Sequence, residues 1–232
     1  MIGSFLATLI IRWPLDEQVV AGRSRCDSCR QALPASSLIP LISYLAARGR
    51  CRGCGARIDP LHFQVELASA LLAALALLLQ PNLAGAALAA LWLLLLAPAL
   101  LDARHMWLPD PLTLVLAAGG LLFGGLIAGV ALTDRLIGGA AGYLSLSLIA
   151  LAYRRWRGRE GLGGGDPKLL GAIGLWTGWA ALPIIALLAA LAGIGTALAT
   201  GRSRLDRMPF GTLLALATIF WSGLAAAGLV IP

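Results

Sequence analysis

Two acids sit where an apolar chain can least accommodate them. Asp102 follows the unbroken apolar run 88–101, and Asp166 ends the glycine stretch Gly161-Leu162-Gly163-Gly164-Gly165 where another apolar run begins. A carboxylate at the edge of a membrane-length apolar segment is expensive to desolvate, which makes it a candidate for function. Two such groups brought together cannot both ionise and hold one proton between them. One can then activate water while the other protonates a leaving nitrogen, which is enough to hydrolyse an amide without a metal or a covalent nucleophile. For Asp102 the structural alternative is an ion pair with Arg104. Asp110, directly before Pro111, reads more simply as a helix N-cap with proline at the first helical position.

A second group of reactive side chains lies upstream. Cys26-Asp27-Ser28-Cys29 and Cys51-Arg52-Gly53-Cys54 are two C-x-x-C knuckles and contain all 4 cysteines of the chain. With residues 30–50 between them, they have the spacing of a four-thiolate zinc site, each pair clamping one edge of a tetrahedron. Such a site has no open coordination position, so its metal is structural. Two disulfides are the alternative, disfavoured in a reducing cytoplasm. Neither His62 nor His105 is placed for a catalytic triad, and no H-E-x-x-H zinc motif occurs. The glycine run is also a poor phosphate cradle, because Asp166 stands at the helix entrance where that pattern needs lysine, and Leu169 follows Lys168 where it needs Ser or Thr.

The elements that must position these residues follow from composition. Of 232 residues, 59% are hydrophobic and 12% charged, and the mean hydropathy is +0.85, far too apolar for a water-soluble domain. Apolar runs at 1–11, 63–79, 86–101, 111–132, 136–153, 169–180, 182–200 and 210–231 approach the length of a membrane span. The first and sixth are short, and the first reads as a helix that is itself short or whose upstream part is missing. The expected fold is all-α and polytopic, with about eight transmembrane helices and a small cytoplasmic zinc-binding insert. Its divisions are a short first transmembrane helix (1–13), the insert (14–62) and a transmembrane peptidase domain (63–232).

With the N-terminus outside, every one of the 18 basic residues except Arg135 falls on one side. Basic residues are retained in the cytoplasm, so the insert, the loops 102–110, 154–166 and 201–209, and both aspartates face it. This topology and anionic lipid account for the net charge of +7, and nucleic acid is not an expected partner. Paired glycines at 119–120, 124–125 and 138–139 read as close helix packing.

Taken together, these residues resemble the prepilin leader peptidases, bacterial inner-membrane aspartic proteases of the type IV pilus and type II secretion systems. The resemblance runs nearly end to end. It is carried by Gly3-Ser4-Phe5-Leu6, the paired knuckles, Asp102 followed by Leu108-Pro109-Asp110, the G-x-G-D-x-K stretch from Gly163 to Lys168, and Pro209-Phe210-Gly211. It implies that Asp102 and Asp166 are the catalytic pair, supported by Gly163, Gly165, Lys168 and Asp110, with Cys26, Cys29, Cys51 and Cys54 holding zinc. The implied substrate is a prepilin or pseudopilin whose leader is cut after a glycine on the cytoplasmic side. Members of the family often also methylate the new N-terminus with S-adenosylmethionine. Ala7 stands where they usually have asparagine. The rival from another class is a proton-coupled transporter relaying protons through the same two carboxylates.

Overall fold

The computed structural model describes residues 2–17, 19, 25–26, 28–32, 40–201 and 208–230. Parts of the expected insert, at 18, 20–24, 27 and 33–39, and of the expected loop 201–209, at 202–207, lie outside them. The described residues form helices without strands, in two compact units, 1–72 and 73–232.

The first unit opens with α1 (Ile2–Arg12) and a single 3-10 turn, Trp13–Leu15, which Asp16 ends in the left-handed conformation at φ 57°. Arg12, only 8% exposed, donates from Nη2 to the Arg25 carbonyl at 2.9 Å, tying the end of α1 to the first cysteine knuckle. A short helix α2 (Pro40–Ala46) follows. It adds a ninth helix to the eight apolar runs, and its Tyr44 ring stacks at 5.3 Å on Phe63 of α3 (Pro60–Leu79). Asp59 caps α3 by accepting the Leu61 N–H at 2.8 Å, and Pro60 supplies a pre-set first helical residue. Gly3 is where α1 meets α3, since a β-carbon there would lie 2.7 Å from the Glu66 Cα.

The second unit contains α4 (Leu83–His105), α5 (Asp110–Ala128), α6 (Leu132–Arg157), α7 (Asp166–Thr177), α8 (Leu182–Thr200) and α9 (Phe210–Ala226). Asn82 starts α4 by accepting the N–H groups of Ala84 and Gly85. That helix continues past Asp102 to His105, so the acid lies inside a helix and not after one.

Helix α7 is the hub of this unit. Ten of its 12 residues are buried, and α5, α6, α8 and α9 all pack on it. At 12 residues it rises about 18 Å, well short of the ~30 Å hydrocarbon layer, and only its neighbours can keep it there. Glycines let them approach. Gly119, Gly120 and Gly124 of α5 face Trp176 and Leu175, while Gly138, Gly139 and Gly142 of α6 lie against the α7 backbone or Leu175. Between helices in lipid, where no hydrophobic drive acts, such close van der Waals contact is the main attraction. The Trp176 indole, fully buried, donates to the Leu116 carbonyl at 2.7 Å.

Among the described residues five helices, α3, α4, α5, α6 and α8, are long and apolar enough to cross a membrane, and α9 is a shorter apolar helix. Leu114, Leu122, Phe123, Leu148 and Leu198 are exposed on these helices, as lipid-facing positions should be. The chain is a multi-pass integral membrane protein. Arg135, the basic residue left alone by the charge distribution, is 5% exposed. It donates to the Leu121 carbonyl at 2.8 Å, in space that Gly125 leaves open.

Candidate active site

The chain brings Asp102 and Asp166 to one place through three helix termini. Asp102 lies one turn before the end of α4, where its carbonyl accepts the Met106 N–H at 2.9 Å. Asp166 is the first residue of α7, and its Oδ2 accepts the Gly163 N–H at 3.0 Å while its own N–H reaches back to the Gly163 carbonyl at 3.2 Å. This reciprocal turn fixes the carboxylate at the positive end of the α7 dipole. Both acids are nearly closed to solvent, with exposures of 6% and 5%. No ion pair joins Asp102 to Arg104 among the described residues, and its carboxylate turns to α9.

Gly211, in the first turn of α9, measures how near the two acids are. A methyl group there would lie 3.1 Å from Asp102 Oδ2 and 3.2 Å from Asp166 Oδ1. The two oxygens are therefore no farther apart than the sum of those distances, a gap that one water can bridge. The same methyl would press on Leu108 Cδ1 at 2.6 Å, and a β-carbon at Gly165 would meet Leu108 as well. Leu108, from the connection between α4 and α5, is thus a wedge seated on two glycines beside the carboxylates. It explains why residue 165 has no side chain.

The four residues expected to support the pair make different contacts. Gly163 binds Asp166, and Gly165 makes room for Leu108. Lys168 pairs with Asp110 at 2.6 Å, joining the starts of α7 and α5. Both side chains are well exposed, so the pair adds little stability. The expectation that Asp110 caps α5 is corrected, because Pro109 occupies the cap position without a side-chain bond and the Asp110 carboxylate is given to Lys168. Sequence reasoning missed Thr212, whose N–H donates to Asp102 Oδ2 at 2.8 Å. Its only signal was its place directly after Pro209-Phe210-Gly211.

The cysteines form a separate cluster in the first unit. All four are reduced, and their sulfurs lie within 4.8 Å of one another. The two knuckles have the same local geometry. Cys26 N–H bonds the Gln31 carbonyl and Arg30 N–H the Cys26 carbonyl, just as Cys51 N–H bonds Ala56 and Gly55 N–H bonds Cys51. Arg30 and Gly55 take the same left-handed conformation, at φ 58° and 72°. Backbone N–H groups of Cys54 and Gly53 pull the Cys51 thiol down to about 7. The Ala56 N–H favours the Cys54 thiolate too, yet the neighbouring sulfurs and desolvation outweigh it and push that thiol up to about 11. Four sulfurs set to compete for negative charge suit a divalent metal such as zinc, which would neutralise them together.

A model of the bacterial peptidase A24 N-terminal domain matches residues 1–79, and one of the Type IV leader peptidase family matches residues 87–198. The chain is 42% identical over 246 residues to the prepilin leader peptidase/N-methyltransferase of Aeromonas hydrophila, an alignment covering 94% of this chain and 85% of that protein. It is 39% identical to the protein of that name in Dickeya chrysanthemi, over 93% of this chain and 86% of the relative. Against the Burkholderia pseudomallei strain 1026b protein it is 45% identical over 86% and 67%. No solved structure matches it. Matched by that family's model over residues 87–198 and 42% identical to a prepilin leader peptidase/N-methyltransferase over 94% of its own length, the chain belongs to the Type IV leader peptidase family.

Proposed function

We propose that this protein is a membrane aspartic endopeptidase that removes the leader from type IV prepilins or type II secretion pseudopilins, with Asp102 and Asp166 as its catalytic pair. The observation that carries the proposal is that one oxygen of each acid approaches the same glycine, Gly211, which brings the two carboxylates within reach of a single water. A water bridging the two carboxylates gives its proton to one of them as its oxygen attacks the scissile carbonyl, and the other carboxyl group's proton goes to the departing nitrogen. Asp166 is anchored by Gly163, and Leu108 on Gly165 and Gly211 closes one side against solvent. The names of the relatives support the substrate class. Proton-coupled transport finds no support among them.

The test is cleavage of a prepilin and a pseudopilin by the purified protein in liposomes. Cleavage on the glycine side of the leader is expected, while proton uptake into vesicles without cleavage would establish the transporter. A sharper check comes from Gly211→Ala, whose methyl would press on Leu108 and on an oxygen of each acid and so disturb the spacing of the pair. The side-chain ends around it can yield, so folding should survive while kcat falls by about 100-fold. Unchanged turnover by the folded variant would mean that the approach of the two carboxylates at Gly211 does not set the rate.

By the same proposal the active site faces the cytoplasm of a bacterial inner membrane, with divisions at 1–13, 14–62 and 63–232. Cys26, Cys29, Cys51 and Cys54 hold zinc, which supplies structural cross-linking and no chemistry at the carboxylates. Gently purified protein should carry about one zinc per chain, as a closed four-sulfur site binds one ion. Cys51→Ser should lose the metal and expose the insert to protease. Metal-free protein with an intact insert would refute the site. The relatives' names also include N-methyltransferase, and we extend methylation of the new N-terminus by S-adenosylmethionine to this chain without assigning it a residue.

A further inference from the structure

We propose that Thr212 is a positioning residue for the hydrolysis, its hydroxyl following the protonation state of Asp102 so that the carboxyl group need not move during turnover. The inference rests on the aspartyl pair proposed above.

Its basis is the way one side chain serves two acceptors on a neighbouring helix. The Thr212 Oγ1 lies 2.8 Å from the Ala99 carbonyl oxygen and 3.2 Å from Asp102 Oδ2, while its N–H is 2.8 Å from the same Oδ2. A hydroxyl has one proton and can accept as well as donate. When Asp102 is ionised, Thr212 can give its proton to Oδ2. When Asp102 has taken the proton from water, Thr212 can turn its own proton to Ala99 and accept from the acid. The heavy atoms stay where they are in both cases. Positions held this closely are what a shared-proton mechanism needs at each half of its cycle.

A helix-capping role alone does not require this hydroxyl. The Thr212 N–H already joins the start of α9 to a carboxylate. The other hydroxyls of α9 meet no carboxylate: Thr218 donates to Leu214, and Ser222 donates to Thr218 while accepting from Trp92 Nε1 of α4. Thr212 instead donates across to α4 and meets there a carboxylate that is nearly closed to water. Losing a donor to a charged acceptor in such a place is among the larger single hydrogen-bond effects.

The experiment compares Thr212→Val, which keeps shape and the N–H but loses the hydroxyl, with Thr212→Ser, which keeps the hydroxyl, in the full chain with a prepilin substrate. Thermal unfolding of each is measured beside its kinetics, and Thr212→Ala is a second hydroxyl-free variant should valine fold poorly. We expect the hydroxyl-free variants to lose about 10- to 100-fold in kcat with KM changed less than about threefold, and serine to remain within about threefold of wild type. Full kcat in a folded hydroxyl-free variant overturns the inference. So does a serine variant as slow as valine, or a loss confined to KM. Asp102→Ala is run in parallel. If it cleaves normally, the aspartyl reading itself fails, whereas an inactive Asp102→Ala beside a fully active Thr212→Val removes only the role of Thr212.

Discussion

Asparagine at either Asp102 or Asp166 should slow leader cleavage at least about a thousandfold, equivalent to roughly 4 kcal/mol of lost transition-state stabilisation. The amide is nearly isosteric with the acid and can still accept the Thr212 or Gly163 N–H that holds the native oxygen, so the fold should persist. What it cannot do is take a proton from water or pass one to a leaving amine. On the proposed mechanism the two acids act as a unit, so the double variant should be little slower than either single one. The measurement is single-turnover cleavage of a prepilin in liposomes, with unfolding temperature as the control. A folded Asp102→Asn or Asp166→Asn enzyme within tenfold of wild type would show that the pair is not the catalyst, whatever its proximity.

Why these two acids could be found in the sequence, and the roles of Thr212 and Leu108 beside them could not, has a physical basis. An ionisable group beside an apolar run has a high cost wherever the chain goes, so Asp102 and Asp166 are conspicuous before any fold is known. The cysteines are legible for a similar reason, because tetrahedral ligation constrains spacing along the chain. Glycine pairs announce close helix packing without naming the partner. Thr212 gives no local sign, since its role exists only when the first turn of α9 meets the last turns of α4, and threonine early in an apolar helix is ordinary. Leu108 is equally silent, as an apolar residue becomes a wedge only once Gly165 and Gly211 converge on it. Asp110 misled because Asp-Pro has a strong local meaning, which the long-range ion pair with Lys168 overrode. The central place of α7 was hidden by its shortness, since period and hydropathy rank a 12-residue helix below its longer neighbours.

That central place yields the other large expected effect. Valine at Gly174 should prevent α6 and α7 from seating, lowering the unfolding temperature in detergent by at least about 10 °C or abolishing folded protein, because overpacking against backbone costs several kcal/mol and cannot relax through a rotamer. A β-carbon at Gly174 would collide with the Gly138 carbonyl, and one at Gly138 would lie 2.7 Å from the Gly174 carbonyl oxygen. Both obstacles are main chain, so relief requires the helices to part. Parting them moves Asp166, which opens α7, away from Asp102 and the first turn of α9. Cleavage should therefore fail even in conditions mild enough to keep the variant folded. Gly195→Ala is the matched control, since nothing lies within 4 Å of a β-carbon there and alanine is the better helix former by up to about 1 kcal/mol. It should melt at or above the wild-type temperature with full activity. A Gly174→Val protein as stable and active as that control would mean that α6 and α7 do not cross at these glycines. The placement of Asp166 would then need another cause.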